Sequence, residues 1–400
     1  MPNITHALFA AAVSIAACTS PQGPQNDGPP PTAIPLRNAE AEAFTVGVTV
    51  GGQQLNAMID SGSTTLAVAG ATCSDCTGIS PLYAPGTSAT DMGSTLTATY
   101  GVGEWMGELY SDSVRLVGDS IAPFAMKFGE IEEQTDFLAA NGIADALIGL
   151  GPQVAELGGT DSYLVDRANA GDSSVFAIQM CPYDGNLWFG GADKTHEVSD
   201  EQYTAISAAD ARHPWYQIAV QSATVGGTSI SLSGTAVPDT GTTIMVLPTD
   251  AANAFAAAVN ASSGFQSIFG GQKLVLSNAD ILQCPLSTTK SASDIDAALP
   301  KLEITLNDLD GTPFTLSMNA TSSYLHAFGD QYCVYLGTLD DAPALILGQA
   351  FLNNFVSVFD PDNGKIGFAP QQGCTYPMDA KRQTPPRVPF IQGRPAATRG

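Results

Sequence analysis

The sequence predicts an all-β protein of two lobes that are diverged copies of one another. Three observations carry this. Short runs of alternating apolar and polar residues, "FTVGVTV" (44–50), "QLNAMI" (54–59), "YQIAVQSATV" (216–225) and "KLEITL" (301–306), are separated by Gly, Asn, Asp and Pro turns. That period of two is the mark of half-buried strands. Helical signals are few. The same acid-turn tetrapeptide occurs twice, as "DSGS" from Asp60 and "DTGT" from Asp239. A Val-Gly-Gly turn precedes each copy and an apolar run with Gly follows each, so matching pieces recur in one order, as an internal duplication requires.

Composition bounds the function. At 400 residues, with 44% hydrophobic and only 14% charged residues, the chain buries a large core under a sparsely charged surface. A net charge of −24 argues against nucleic acid and against anionic membrane surfaces as partners. The last twenty residues run the other way, carrying Lys381, Arg382, Arg387, Arg394 and Arg399 and no acid. The remaining body is more acidic still and loses its self-repulsion only at low pH, a hint of an acid-acting protein.

Along the chain, residues 7–18, "ALFAAAVSIAAC", are too short to span a membrane and suit a signal-peptide core. They end in Ile15-Ala16-Ala17-Cys18, which resembles the bacterial lipoprotein signal, although no Lys or Arg precedes it. Cys18 is thus the candidate lipidation site, with a plain cleaved secretory signal as the alternative. Residues 19–42, rich in Pro, Gly and Gln, are expected to form a disordered tether. The two lobes are assigned to 43–198 and 199–372, and a Pro- and Arg-rich tail to 373–400. Val50-Gly51-Gly52 and Val225-Gly226-Gly227 mark hairpins. The best helix is "PTDAANAFAAAVN" (248–260), with Thr249 or Asp250 as its cap.

Seven cysteines are present; with Cys18 lipidated, six remain, an even number that suits three disulfides in an exported protein. Cys73 and Cys76 form a C-x-x-C with no second pair and no nearby His, so a small closed loop fits better than zinc. No metal and no cofactor are expected.

One D-[ST]-G-[ST] is usually only a turn. Two, one per lobe, suggest paired chemistry. Gly62 and Gly241 let the backbone turn tightly and present an N–H to the carboxylate. The first hydroxyls, Ser61 and Thr240, can bond across to the opposite loop. The second, Ser63 and Thr242, can bond their own Asp and tune its charge. If a two-fold axis relates the lobes, Asp60 and Asp239 meet, cannot both ionise easily, and share one proton over a broad acidic range. One carboxylate can then take a proton from water while the other donates to a carbonyl oxygen.

On these motifs the chain resembles the pepsin-like aspartic proteases over roughly residues 43–372. The resemblance also rests on "TATYGVGEWMG" (97–107), "DALIGLG" (145–151), "LILGQAFLNNFVSVFDPDNGKIGFAP" (345–370), "VFAIQM…GNLWFGGAD" (175–193) and "WYQIAVQSATVGG" (215–227). It implies a bilobal pepsin-like fold with the active site in the cleft, and an endopeptidase that binds an extended peptide beneath a flap hairpin. Tyr100 would be the flap tyrosine, with Gly101 and Gly103 shaping the tip. Disulfides Cys73–Cys76 and Cys284–Cys333 are implied, which leaves Cys181 for Cys374. Peptide or protein substrates, a monomer, and an exported location (envelope lipoprotein, secreted or periplasmic) follow as expectations.

Three departures stand out. Ala67 occupies the position where the family usually carries a Trp that bonds the flap tyrosine; Trp105 is the nearest replacement in sequence, with plain packing as its other reading. Residues 19–42 have no Lys and one Arg, unlike a basic prosegment, so no conventional zymogen is expected. The basic tail is extra. The main rival is a non-catalytic peptide- or protein-binding member of the same fold, which would be expected to have lost an Asp or a motif Gly; neither is lost here. A two-carboxylate glycosidase would not explain the paired Gly turns. A serine hydrolase would want G-x-S-x-G, which is absent.

Overall fold

The computed structural model describes residues 30–39, 43–101, 103–138, 143–152, 160–207, 215–278, 282–328, 331–338 and 345–374. The signal segment with Cys18, most of the expected tether and the tail beyond 374 lie outside them. Apart from Pro30, everything described falls in one compact unit running from Pro31 onward.

The first lobe is built from β1 (Ile34–Ala39), β2 (Ala43–Val50), β3 (Gln53–Asp60), β4 (Leu66–Ala69), β5 (Thr90–Thr99), β6 (Glu104–Leu116), β7 (Phe124–Thr135) and β8 (Ala146–Gly149). β2 and β3 form the expected hairpin, Val50 facing Gln53 across Gly51 and Gly52. Both glycines have positive φ, 56° and 80°, which is what a two-residue turn matched to strand twist demands. In the second lobe, Val225 faces Thr228 across Gly226 and Gly227, again with φ of 55° and 78°. The repeat seen in the sequence is therefore a repeat of geometry.

β1 corrects the expected tether. Its Ile34 and Leu36 alternate into the core, and the strand pairs with Asp184–Phe189 on one side and with β2 on the other. Burial of two large apolar side chains outweighs the local Pro content, and pairing with β2 begins only at Arg37, beyond Pro35. The first lobe's strands thus begin before residue 43.

A six-stranded antiparallel layer joins the lobes. It runs from β1 through Asp184–Phe189, Phe176–Met180, Phe355–Asp360 and Lys365–Pro370 to Gln202–Ser207, three strands from each half of the chain. This is the all-β, two-lobed architecture that the sequence predicts. The expected helix is present as Thr249–Ala261, but Pro248 is its N-cap and makes no side-chain cap bond; Asp250 instead lies in the first turn, where a negative charge suits the helix dipole. The three disulfides join Cys73 to Cys76, Cys181 to Cys374 and Cys284 to Cys333.

Candidate active site

Each lobe builds its acid loop in the same way. β3 runs parallel to β8, with Asp60 beside Gly149, and Leu150 N–H bonds the Asp60 carbonyl at 2.7 Å. In the second lobe, Gly234–Pro238 runs parallel to Leu345–Leu347, and Asp239 N–H bonds the Leu347 carbonyl at 3.0 Å. The loops then fold back: Gly151 N–H reaches Ser63 O at 2.7 Å, and Gln349 N–H reaches Thr242 O at 2.7 Å. Glycine behind the first loop is a matter of space, since a Cβ on Gly149 would sit 2.6 Å from Thr65 N.

The first hydroxyls cross-link the two loops reciprocally. Ser61 Oγ accepts from Thr240 N–H (3.0 Å) and donates to Pro238 O (3.0 Å). Thr240 Oγ1 accepts from Ser61 N–H (2.9 Å) and donates to Ile59 O (3.0 Å). Both side chains are completely buried, so these four bonds run in a low-dielectric setting where each is strong and each orphan would be costly.

The carboxylates meet at this junction. Gly62 N–H bonds Asp60 Oδ1 and Gly241 N–H bonds Asp239 Oδ1, both at 2.9 Å. A Cβ on Gly62 would stand 2.8–2.9 Å from all three atoms of the Asp239 carboxyl group, so only glycine lets the opposing carboxyl approach this closely. Burial pushes the pKa of Asp60 well up, and the nearby negative Asp239 adds to it. Burial also raises Asp239, but hydrogen bonds from Thr242 and Gly241 pull it back. Burial disfavours a charge on both, so the pair holds a proton in common.

The second hydroxyls differ from one another. Thr242 Oγ1 donates to Asp239 Oδ2 at 2.6 Å, as its position in the motif suggests. Ser63 Oγ, also buried, makes no hydrogen bond of normal geometry. It lies close enough to Asp60 and to the Tyr100 phenol to favour the charged form of each.

β5 and β6 form a long hairpin, closed by Tyr100 N–H to Gly103 O at 2.9 Å. Gly103 has φ of 84°, and a Cβ there would come within 2.5 Å of Asp136 O; Gly101 is exposed. Tyr100 is buried and stacks on Phe137, ring centroids 4.7 Å apart. Burial raises its phenol pKa, so it stands as a neutral donor, and the Trp105 indole opposes that rise.

Two supporting residues escaped the sequence reading. Gln349 Nε2 bonds Thr240 O at 3.0 Å, and Tyr216 Oη, from the second lobe, bonds Leu150 O at 2.9 Å. Tyr216 lies in a strand run whose alternation showed burial but not its partner. Among the described residues, no group of three or more His, Cys, Asp and Glu side chains is placed to hold a metal ion.

A family model described as eukaryotic aspartyl protease matches residues 43–371. An aspartic protease of Phaffia rhodozyma is 26% identical over 343 residues, 84% of this chain and 78% of that one. Rhizopuspepsin-4 of Rhizopus niveus is 27% identical, covering 81% and 76%. Pepsin A of Sus scrofa is 26% identical, covering 84% and 83%.

Proposed function

The chain belongs to the eukaryotic aspartyl protease family and is an aspartic endopeptidase acting on peptides or proteins, and from that premise we propose that Asp60 and Asp239 are the pair that performs the hydrolysis. The observation that carries the assignment is their convergence through reciprocally bonded loops, with Gly62 leaving free the space beside the opposing Asp239 carboxyl.

Asp239, whose charged form is held by Thr242 and Gly241, takes a proton from a water between the carboxyls. Asp60, which lacks the equivalent short hydroxyl bond, keeps the shared proton and donates it to the carbonyl oxygen as the water attacks. The tetrahedral product of that step collapses when the leaving amine is protonated from the pair. Tyr100, neutral and carried on the hairpin above, covers the substrate. Both carboxylates come from one chain, so a monomer suffices. Activity belongs in acid, where one proton is shared, and apolar residues flanking the cut are the expected preference.

Digestion of an unfolded protein from pH 2 to 7, with and without pepstatin, tests this. Cleavage in acid that pepstatin abolishes is expected. Tight peptide binding with no cleavage at any pH would instead select the non-catalytic binding reading.

Three disulfides fit an exported, extracellular-type fold, in keeping with a family whose members are generally secreted or lysosomal. We propose further that export runs through the segment ending at Cys18 and that Cys18 carries a lipid anchor. Labelling with palmitate should mark the wild type and not Cys18→Ala; equal labelling of the two contradicts it.

A further inference from the structure

We infer that Trp105 is the positioning residue of the flap tyrosine, and that Ala67 and Gly129 are small because together they seat its indole. The inference rests on reading Tyr100 as the residue that covers the dyad.

Ala67 and Gly129 are direct partners on the parallel strands β4 and β7, so they occupy neighbouring places on one face of the sheet. A Cβ at Gly129 would lie 2.7 Å from Trp105 Cζ3, inside the ring's own space. Gly129 has no positive φ, so room for the indole is what glycine provides there. Trp105 is fully buried two residues beyond the turn that closes the flap, beside Ala98 on β5 and Gln134 on β7. Its ring lies 6.4 Å from that of Phe137, the same ring on which Tyr100 stacks at 4.7 Å.

The polar edge of the indole is the telling part. Nε1 is sealed from solvent without a hydrogen bond of normal geometry, and Tyr100, which shares the Phe137 ring with Trp105, carries the phenol whose charged form the indole favours. Leaving a buried donor poorly satisfied costs about 1–3 kcal/mol, and Phe or Leu would fill the same core without that cost. The retained N–H therefore points to a role toward Tyr100. A large ring at 67 and another at 105 would compete for the seat, so the two positions are coupled. Trp105 and Tyr100 share one hairpin; the partner of the tyrosine travels with the flap, and its foothold in the lobe is the Ala67–Gly129 seat.

Two double-mutant cycles test this. In the first, kcat and KM are measured per active site, titrated with pepstatin, for Trp105→Phe, Tyr100→Phe and the double variant. Trp105→Phe should lower kcat/KM by about tenfold, the size of one polar contact made to the tyrosine when substrate is bound, and should cost little further in the Tyr100→Phe background. An undiminished loss in that background, or no loss in the wild type, overturns the positioning role. In the second, thermal melting is compared for Ala67→Trp, Trp105→Leu and the double variant. The double variant should melt above the sum of the two single losses, since the new ring takes the vacated seat; strictly additive losses overturn the shared seat. Melting is independent of cleavage, so this result stands apart from the assignment of the dyad.

Discussion

Thr242 and Ser63 occupy equivalent places in the two motifs, yet only Thr242 bonds its aspartate, at 2.6 Å. A hydrogen bond to the charged form holds a carboxylate pKa down. Thr242→Val should therefore raise the pKa of Asp239 and move the acid limb of kcat/KM to higher pH. A hydrogen bond to a charged group contributes about 1.5–3 kcal/mol, so activity well below that limb should fall by roughly one to two powers of ten. Ser63→Ala should move the limb less. Parallel pH profiles of the two variants check this, and equal displacement would contradict it. Sequence shows the hydroxyls and not this inequality, because alignment depends on fractions of an ångström set by each lobe's packing. Gly62 was legible as a turn glycine; its closeness to the opposite carboxyl needed both lobes in place.

At the scale of elements, the Val-Gly-Gly hairpins and the helix at Thr249–Ala261 could be read directly, because turn chemistry and alanine content are local signals. Strand β1 could not: Pro density dominates its surroundings, and its partners lie far along the chain. The short helix Ala292–Ala298 carries a Ser291–Asp294 capping box, a readable signal obscured by a β-rich context. The flap gives the sharpest prediction here. Gly103→Ala places a side chain at φ of 84°, against Asp136 O. The strain falls on the turn that closes the hairpin beside Tyr100, so kcat/KM should drop while the melting midpoint shifts by only a few degrees. Unchanged kinetics would mean that this turn does not set the flap's working position.

At the scale of the whole molecule, buried carboxyls favour acid. Burial raises Glu130 and Glu197 to about 7, with acidic neighbours adding to each, and raises Asp145 to about 6. A carboxyl raised on folding holds its proton longer in the native state than in the unfolded chain. Its contribution is complete below the unfolded pKa near 4 and is lost as pH climbs through the folded value. Stability should therefore decline between about pH 4 and pH 7, and self-repulsion at a net charge of −24 acts in the same direction. Melting curves across pH 3–8 should show the decline, with Glu130→Gln flattening it; a midpoint that rises toward neutrality would contradict it. Net charge alone points toward acid in the sequence, whereas the buried carboxyls could not be told from surface acids there.

The dyad itself is tested most directly by kcat/KM on one peptide from pH 2 to 7, for the wild type beside Asp60→Asn and Asp239→Asn. The wild type should give a bell with one limb for each proton of the coupled pair. Each variant should lose roughly a thousandfold or more at the optimum, within the range that general acid–base groups supply. Cleavage by either variant at the wild-type rate, or a wild-type rate indifferent to pH, would contradict proton sharing between Asp60 and Asp239.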